Sequence, residues 1–391
     1  MTRQDTIDGA RRYELPTYPR LDIVAVRGEG ARIVDADGTA YLDFYGGHAV
    51  ALLGHSPGRV VEAIARQARE LLFYSNVLHT PARAAAAERL ARLSPWEDAQ
   101  VFFSNSGAEA NEAALRVARK ATGRLKVAAF TGSFHGRTLG AAAACGLGEY
   151  RAAAAPLVDP ADAYVFGNFN DVDGLRALVT EECAAVLVEP IQSMGGVHSM
   201  TAEFAGALRS RCDATGALLL FDEVQTAPAR TGHWFCGERW DVAPDLITTA
   251  KGVAAGFPAG VLLAAGSVAA TVGAGDLGST FGGGPVACAA IDACLAELEE
   301  IDGPARAQAI EERVRTALGE APGVDEIRGH GALLGVRLLG DGPAFAKRLR
   351  EERHVLVGGC PGDTGVLRLL PPLNITDTEL EQGLEAIRSL L

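Results

Sequence analysis

Lysine is scarce in this chain: of its 36 Lys and Arg residues only Lys120, Lys126, Lys251 and Lys347 are lysines. Positive charge is short as well, the net charge being −13, which argues against a general affinity for nucleic acid or anionic membrane while leaving room for a local cationic pocket. The seven cysteines contain no CxxC pair; such an unclustered, odd set predicts reduced, mostly buried thiols in a cytoplasmic protein. The histidines lack metal-ligand spacing, so no metal site is expected. No apolar run is long enough to span a bilayer, since even the Ala-rich stretch from Leu139 is broken by Gly146, Gly148 and Glu149. The polar start, Met1 to Thr6, leads into no apolar segment and predicts no signal peptide. Aromatics make up only 6% of the chain while Ala and Gly abound, a composition suited to helix-rich packing with close backbone approaches.

What is present is a chain of 391 residues, 48% of them hydrophobic, enough for a large core and two domains. Two alternating runs, Ala31 to Asp35 and Ala40 to Asp43, flank Asp37-Gly38 and predict a hairpin. Helical spacing follows over 58–70 and 81–93, with Pro81 in a first-turn position. Apolar strands then alternate with amphipathic helices: Gln100 to Phe103, Lys126 to Phe130, Ala184 to Val188 and Leu218 to Phe221. Such strands predict an α/β fold with a mostly parallel central sheet covered on both faces, its ligands at the carboxyl ends of the strands. Beyond about residue 285 two helices and the short strands Ala332 to Val336 and Gly365 to Leu369 suggest a smaller α+β domain. The expected division is an N-terminal segment 1–50 contributing to the small domain, a large domain 51–285, and the small domain 286–391.

Lys251 stands between the run Leu246 to Ala250 and the largely apolar Gly252 to Gly256. An amine so placed is partly desolvated, its pKa falls, and it can attack a carbonyl. Asp222, 29 residues upstream, ends the apolar stretch Ala217 to Phe221, where an acid is costly unless it meets a cation. The two together suit a pyridoxal phosphate site, with the lysine as Schiff-base anchor and the acid on the pyridinium nitrogen. Gln225, just beyond, is suited to the ring's phenolate oxygen. The junction Ser104 to Asn111 places small residues at a helix start, which favours an anion such as phosphate. It also reads as an N-cap by Ser106 with Glu109 completing a capping box. In Gly132 to Thr138, Phe134 can stack on a flat heteroaromatic ring and Arg137 can grip a carboxylate with two hydrogen bonds.

In order, Ser106-Gly107-Ala108-Glu109-Ala110-Asn111-Glu112, Phe134-His135-Gly136-Arg137-Thr138, Asp222-Glu223-Val224-Gln225, Ala250-Lys251-Gly252 and Gly278-Ser279-Thr280-Phe281-Gly282-Gly283 resemble the motifs of class III pyridoxal-phosphate aminotransferases. The likeness runs from about Ile33 to the C-terminus and is nearest to the acetylornithine and carrier-protein-lysine members. It implies the fold-type-I architecture of a large and a small domain. It also implies phosphate binding by Ser106, Gly107 and Ala108, with Thr280 reaching the phosphate from the partner subunit of a homodimer. Phe134 would stack on the ring, Asp222 would bond its nitrogen and Lys251 would anchor it, with His135, Val224 and Gln225 completing the cofactor site. Arg137 would hold the distal carboxylate of the substrate and Arg368 the α-carboxylate of glutamate, with Ser279 and Met194 nearby. The implied reaction transfers the terminal amine of an N-acylated, acetylornithine-like diamino acid to 2-oxoglutarate, giving a semialdehyde and glutamate. Gly46-Gly47-His48 could help select the acyl group.

One departure touches the substrate. Where the family reads Glu-Pro-x-Gln-Gly-Glu-x-Gly, this chain reads Glu189-Pro190-Ile191-Gln192-Ser193-Met194-Gly195-Gly196. The second acid would pair with the arginine matched by Arg368, and Met194 cannot. Arg368 must therefore find another partner or stay free. Thr226 to Gly232 carries alanines where glycines are usual, and Gly284 replaces the usual asparagine before Pro285. A transaminase for a different amine in secondary metabolism, and an aminomutase, epimerase or decarboxylase on the same scaffold, stand as alternatives. The presence of both Arg137 and Arg368 favours a two-carboxylate acceptor and hence transamination.

Overall fold

A computed structural model describes residues 2–154 and 163–391. Its centre is a seven-stranded sheet in the order Gln100–Ser104, Gly260–Ala264, Leu246–Thr249, Leu218–Asp222, Cys183–Val188, Lys126–Phe130, Tyr164–Gly167. All strands run parallel except Gly260–Ala264, which is antiparallel to both neighbours. The expected mostly parallel sheet is thus present, with one reversed strand that the sequence reading does not contain. Every residue of Cys183–Val188, Leu246–Thr249 and Gly260–Ala264 is buried, as continuous apolar strands covered on both faces require. Successive residues feed opposite layers: Val186, Val188, Leu219, Phe221 and Ile247 join one core, while Ala185, Leu187, Leu220 and Leu246 join the other.

The anticipated hairpin is Arg32–Asp35 with Ala40–Asp43, antiparallel, and Ala25–Glu29 adds a third strand. Val355–Leu356 from the C-terminal region pairs in parallel with Ala40–Asp43. The ends of the chain are further tied by the Arg32–Glu379 ion pair at 3.0 Å. A second antiparallel sheet, in the order Val324–His330, Leu333–Leu338, Val366–Leu369, Gly358–Gly359, carries Arg368 opposite Gly335 and Gly358. Helices occupy Gly58–Glu70 and Pro81–Leu93 as the spacing predicts, and Pro285–Glu300 packs against both.

The loop after Asp222 keeps glycine-like backbone without glycine: Ala229 has φ 59° and is fully buried. That conformation costs an L-residue ~1–2 kcal/mol, offset here by enclosure in the core. No described helix is long and apolar enough to cross a membrane. All seven cysteines are free and buried.

Candidate active site

The carboxyl ends of five strands meet at one edge of the sheet, where loops Asn105–Ala108, Gly132–Arg137, Glu189–Met194, Asp222–Gln225 and Ala250–Lys251 enclose a cavity of about 440 Å³. Ser106, Gly107, Ala108, Phe134, His135, Arg137, Met194, Asp222, Val224, Gln225 and Lys251 all line it. Ser279 and Thr280 do not. They line a neighbouring cavity of about 710 Å³ together with Glu109, Arg116 and Phe281, the two cavities sharing Asn105.

At the helix Gly107–Thr122, Ser106 Oγ accepts the Glu109 amide at 3.2 Å and Ser106 O the Ala110 amide at 3.0 Å. Of the first-turn donors this leaves Gly107 and Ala108 to a ligand. The capping box is only half as expected. The Glu109 carboxylate takes the Asn105 amide at 2.5 Å rather than that of Ser106, so it clamps the strand-to-helix turn one residue earlier. A side chain at Gly107 would meet Val224 Cγ1 at 2.7 Å, which is why this turn takes glycine.

Asp222 is 4% exposed and fully engaged on one oxygen. Its Oδ2 accepts from His135 Nδ1 at 2.7 Å and Asn111 Nδ2 at 2.8 Å, and its Oδ1 accepts the Val224 amide at 3.1 Å. Thr248 Oγ1 donates to Asn111 Oδ1 at 2.6 Å and fixes that amide's orientation. Asn111 has no role in the sequence reading beyond its place in a motif. The available signal was an amide among Ala110, Ala113 and Ala114 on the buried helix face, which demands a partner.

Lys251 opens the short helix Lys251–Ala254. Desolvation lowers its pKa from the usual 10.5 to about 8, with the charges of Asp222 and Glu189 opposing the fall. Glu189 is a second residue given no task by the sequence. It is buried, accepts the Phe134 amide at 2.7 Å, and is held well above the ordinary carboxylate range by burial and then by Asp222. Phe134 meets Tyr150 edge-on at 4.9 Å.

Arg368 is 2% exposed, and its hydrogen-bond partners among the described residues carry no charge. Nε donates to Gly359 O at 2.8 Å, Nη1 to Ser193 Oγ at 3.2 Å and to Met194 Sδ at 3.5 Å, and the Tyr45 ring lies 5.8 Å away. The open question at Met194 is thereby answered: thioether and hydroxyl stand where a carboxylate would pair. Arg137 is exposed at the cavity mouth.

The cavity suits pyridoxal phosphate on three observations. Two first-turn amides are available for phosphate, and Asp222 is fixed by three donors. Among the described residues, Gln225 Oε1 and His135 Nε2 are buried polar atoms without a protein partner, as expected where a polar ligand belongs. Gln225 Nε2 reaches His48 O at 3.5 Å. Among the described residues no cluster of three or more His, Cys, Asp or Glu could hold a metal.

Comparison with known proteins agrees with this geometry. The aminotransferase class-III family model matches residues 15–391. The chain is 40% identical over 392 residues to an acetylornithine aminotransferase of Methanopyrus kandleri, covering 100% of this chain and 99% of that one. It is 39% identical over 383 residues to that of Methanosarcina mazei, covering 97% and 95%. Among solved structures, N-acetylornithine aminotransferase from Stenotrophomonas maltophilia matches with a TM-score of 0.82 at 32% identity over 98% of each chain. An ornithine aminotransferase from Toxoplasma gondii matches with a TM-score of 0.92 at 29% identity, over 100% of this chain and 95% of that one. With four of its five family motifs gathered around one cavity, the fifth at the neighbouring one, and its whole length matched, this chain belongs to the class III aminotransferases, pyridoxal-phosphate-dependent transaminases of the fold-type-I architecture.

Proposed function

We propose that this transaminase moves the terminal amine of an N-acylated, acetylornithine-like diamino acid to 2-oxoglutarate, yielding a semialdehyde and glutamate. The observation that carries the reading is a pair of carboxylate-seeking arginines: Arg137, which lines the cavity that also holds Lys251, and Arg368, which stands behind its wall bonded to the lining residues Ser193 and Met194. The acetylornithine aminotransferases to which the chain is about 40% identical support it. When bound, pyridoxal phosphate supplies an electrophilic carbon for amines and an electron-withdrawing ring. Lys251 would anchor it covalently, and the Lys251 amine would hold and move the proton at the carbon bearing the transferred nitrogen. Asp222 holds a proton at the ring nitrogen, with His135 and Asn111 keeping the carboxylate in place. Ser106, Gly107 and Ala108 would receive the phosphate, Phe134 and Val224 would contact the ring, and Gln225 would take the ring oxygen. Arg137 binds the distal carboxylate of the acceptor and Arg368 the α-carboxylate, beside Met194, whereas Ser279 lies outside this cavity.

The working unit in this reading is a homodimer in which Thr280 serves the phosphate of the other protomer. In its favour, Thr280 lies outside the cavity of its own chain, and exposed Leu72, Val77 and Leu78 adjoin the Phe73–Phe281 ring pair at 5.2 Å. The small domain, in this reading, comprises 1–50 and 286–391, and the protein is cytoplasmic, in keeping with its buried free thiols.

A panel of amine donors with 2-oxoglutarate tests the substrate. Acylated diamino acids are expected to give one glutamate per amine consumed, whereas glutamate formation from α-amines alone would overturn the reading. The uncharged hydrogen-bond partners of Arg368 favour a second reading, a broadened amine preference. Met194→Glu is expected to raise KM for glutamate about tenfold in the half-reaction. The new carboxylate competes for charge-assisted bonds worth ~1.5 kcal/mol or more. Unchanged half-reaction constants for glutamate and for ω-amines would show that the methionine is neutral.

A further inference from the structure

Met194 meets Arg368 without the attraction that an acid at that position would supply. A carboxylate there would seek the guanidinium through charge-assisted bonds. A thioether is a weak acceptor on a flexible, unbranched chain, so its place at 3.5 Å from Arg368 Nη1 has to be set through the backbone. That backbone is gripped by the turn from Gly359 to Asp363. The Gly362 amide at 2.9 Å and the Cys360 thiol at 3.0 Å both donate to Met194 O, and the thiol lies 3.4 Å from Ser193 O as well. Cys360 is buried, and burial holds its thiol above the ordinary range, so it stays a donor at neutral pH. Asp363 pairs with Arg328 Nη1 at 3.1 Å, and the same nitrogen donates to Gly196 O at 3.1 Å. Turn and loop are in close contact: a Cβ at Gly362 would meet Gly195 Cα at 2.7 Å. The turn holds the arginine too, since Gly359 O accepts Arg368 Nε at 2.8 Å.

We propose that the turn from Gly359 to Asp363 is a specificity-determining latch, in which Cys360 and Gly362 are positioning residues that hold Ser193 and Met194 against Arg368 and so set how the arginine is presented to an α-carboxylate. One edge of the guanidinium is fixed by Gly359 O. Nη1 meets Ser193 Oγ and Met194 Sδ, both carried on the gripped loop. These acceptors are neutral, so an incoming carboxylate exchanges weak bonds for a strong one. The cost of that exchange depends on where the loop stands, and the turn decides where it stands. The inference rests on the assignment of the α-carboxylate to Arg368.

The test compares half-reactions of the cofactor-loaded protein with glutamate and with N-acetylornithine, which has no carboxylate on the carbon bearing the transferred amine. Cys360→Val keeps the bulk and loses the donor. It is expected to raise KM for glutamate about two- to fivefold with kcat little changed, the range for one neutral hydrogen bond. Gly362→Ala pushes turn and loop apart and should raise that KM about tenfold, as a small misplacement of a binding group does. The constants for N-acetylornithine should be unmoved in both variants, and Cys360→Ser, which keeps a donor, should behave as the parent. In the Met194→Glu background Cys360→Val should have no further effect, because a carboxylate finds the guanidinium by charge. Equal change in both half-reactions, a Cys360→Ser as impaired as Cys360→Val, or a glutamate KM unchanged by loss of the thiol would overturn the proposal. Arg368→Met separates the two readings. If it raises KM for glutamate more than about tenfold while Cys360→Val and Gly362→Ala do nothing, the latch fails and the assignment of Arg368 stands. If it leaves that KM intact, the assignment itself fails.

Discussion

Lys251→Ala is expected to lower kcat at least about a thousandfold, since one general base contributes roughly 10²- to 10⁴-fold and this residue is also the proposed covalent anchor. A small primary amine added to the variant should restore part of the rate, because the missing group is an unhindered amine in a preformed cavity. Retention of more than about a tenth of the parent kcat, measured with 2-oxoglutarate as acceptor, would remove Lys251 from the reaction. The lowered pKa gives the same residue a pH signature. In the cofactor-free protein the nucleophile is the neutral amine. Cofactor capture, followed by absorbance, should therefore rise with pH up to about 8 and level above it, rather than climbing toward 10.5. Stability has a defined sign too. A lysine with its folded pKa depressed from 10.5 to about 8 is bound by more protons unfolded than folded between those values. Stability of the cofactor-free protein should thus increase as pH rises from about 8 toward 10. The Lys251→Ala variant, lacking that amine, should lose this rise, which paired thermal melts would detect.

Much of this site was legible because its residues stand at the ends of apolar strands. Phe221 and Val188 could only be sheet interior, so Asp222 and Glu189 had to emerge at the sheet's carboxyl edge. Pro81 and Ser106 announced helix starts through local chemistry. Strand direction has no such local mark. Gly260–Ala264 is as apolar as its neighbours, and only its pairing with Leu246–Thr249 and Gln100–Ser104 reveals that it is reversed. The Glu109 carboxylate had two amides within reach, and backbone geometry rather than residue type chose Asn105. Contacts across long stretches of chain were beyond local patterning. Met194 and Arg368 are 174 positions apart. Tyr18 meets Arg137 only because the N-terminal connection crosses the cavity mouth. Such contacts are set by topology, and in the proposed function they bear on which carboxylates are recognised more than on the chemistry itself.

Asp222→Asn and Asp222→Ala separate charge from scaffolding at the other end of the proposed proton path. In Asp222→Asn the side chain keeps its size and can still accept at one atom, but it has no negative charge to hold a proton on the cofactor's ring nitrogen. A fall in kcat of about 10²- to 10³-fold is expected, the scale seen when a preorganised electrostatic partner is removed from a closed site. Thermal stability should change far less, since Asn111, His135 and the Val224 amide lose one acceptor rather than all. Asp222→Ala removes every acceptor. Each buried donor left unpaired costs about 1–3 kcal/mol, so this variant should show a clear drop in Tm in addition to the loss of rate. Amine rescue then distinguishes the two ends of the site: it should revive Lys251→Ala and leave Asp222→Asn unmoved, because an external amine replaces a proton carrier but not a fixed negative charge. An Asp222→Asn variant with near-parental kcat and a lowered Tm would instead confine Asp222 to organising Asn111 and His135.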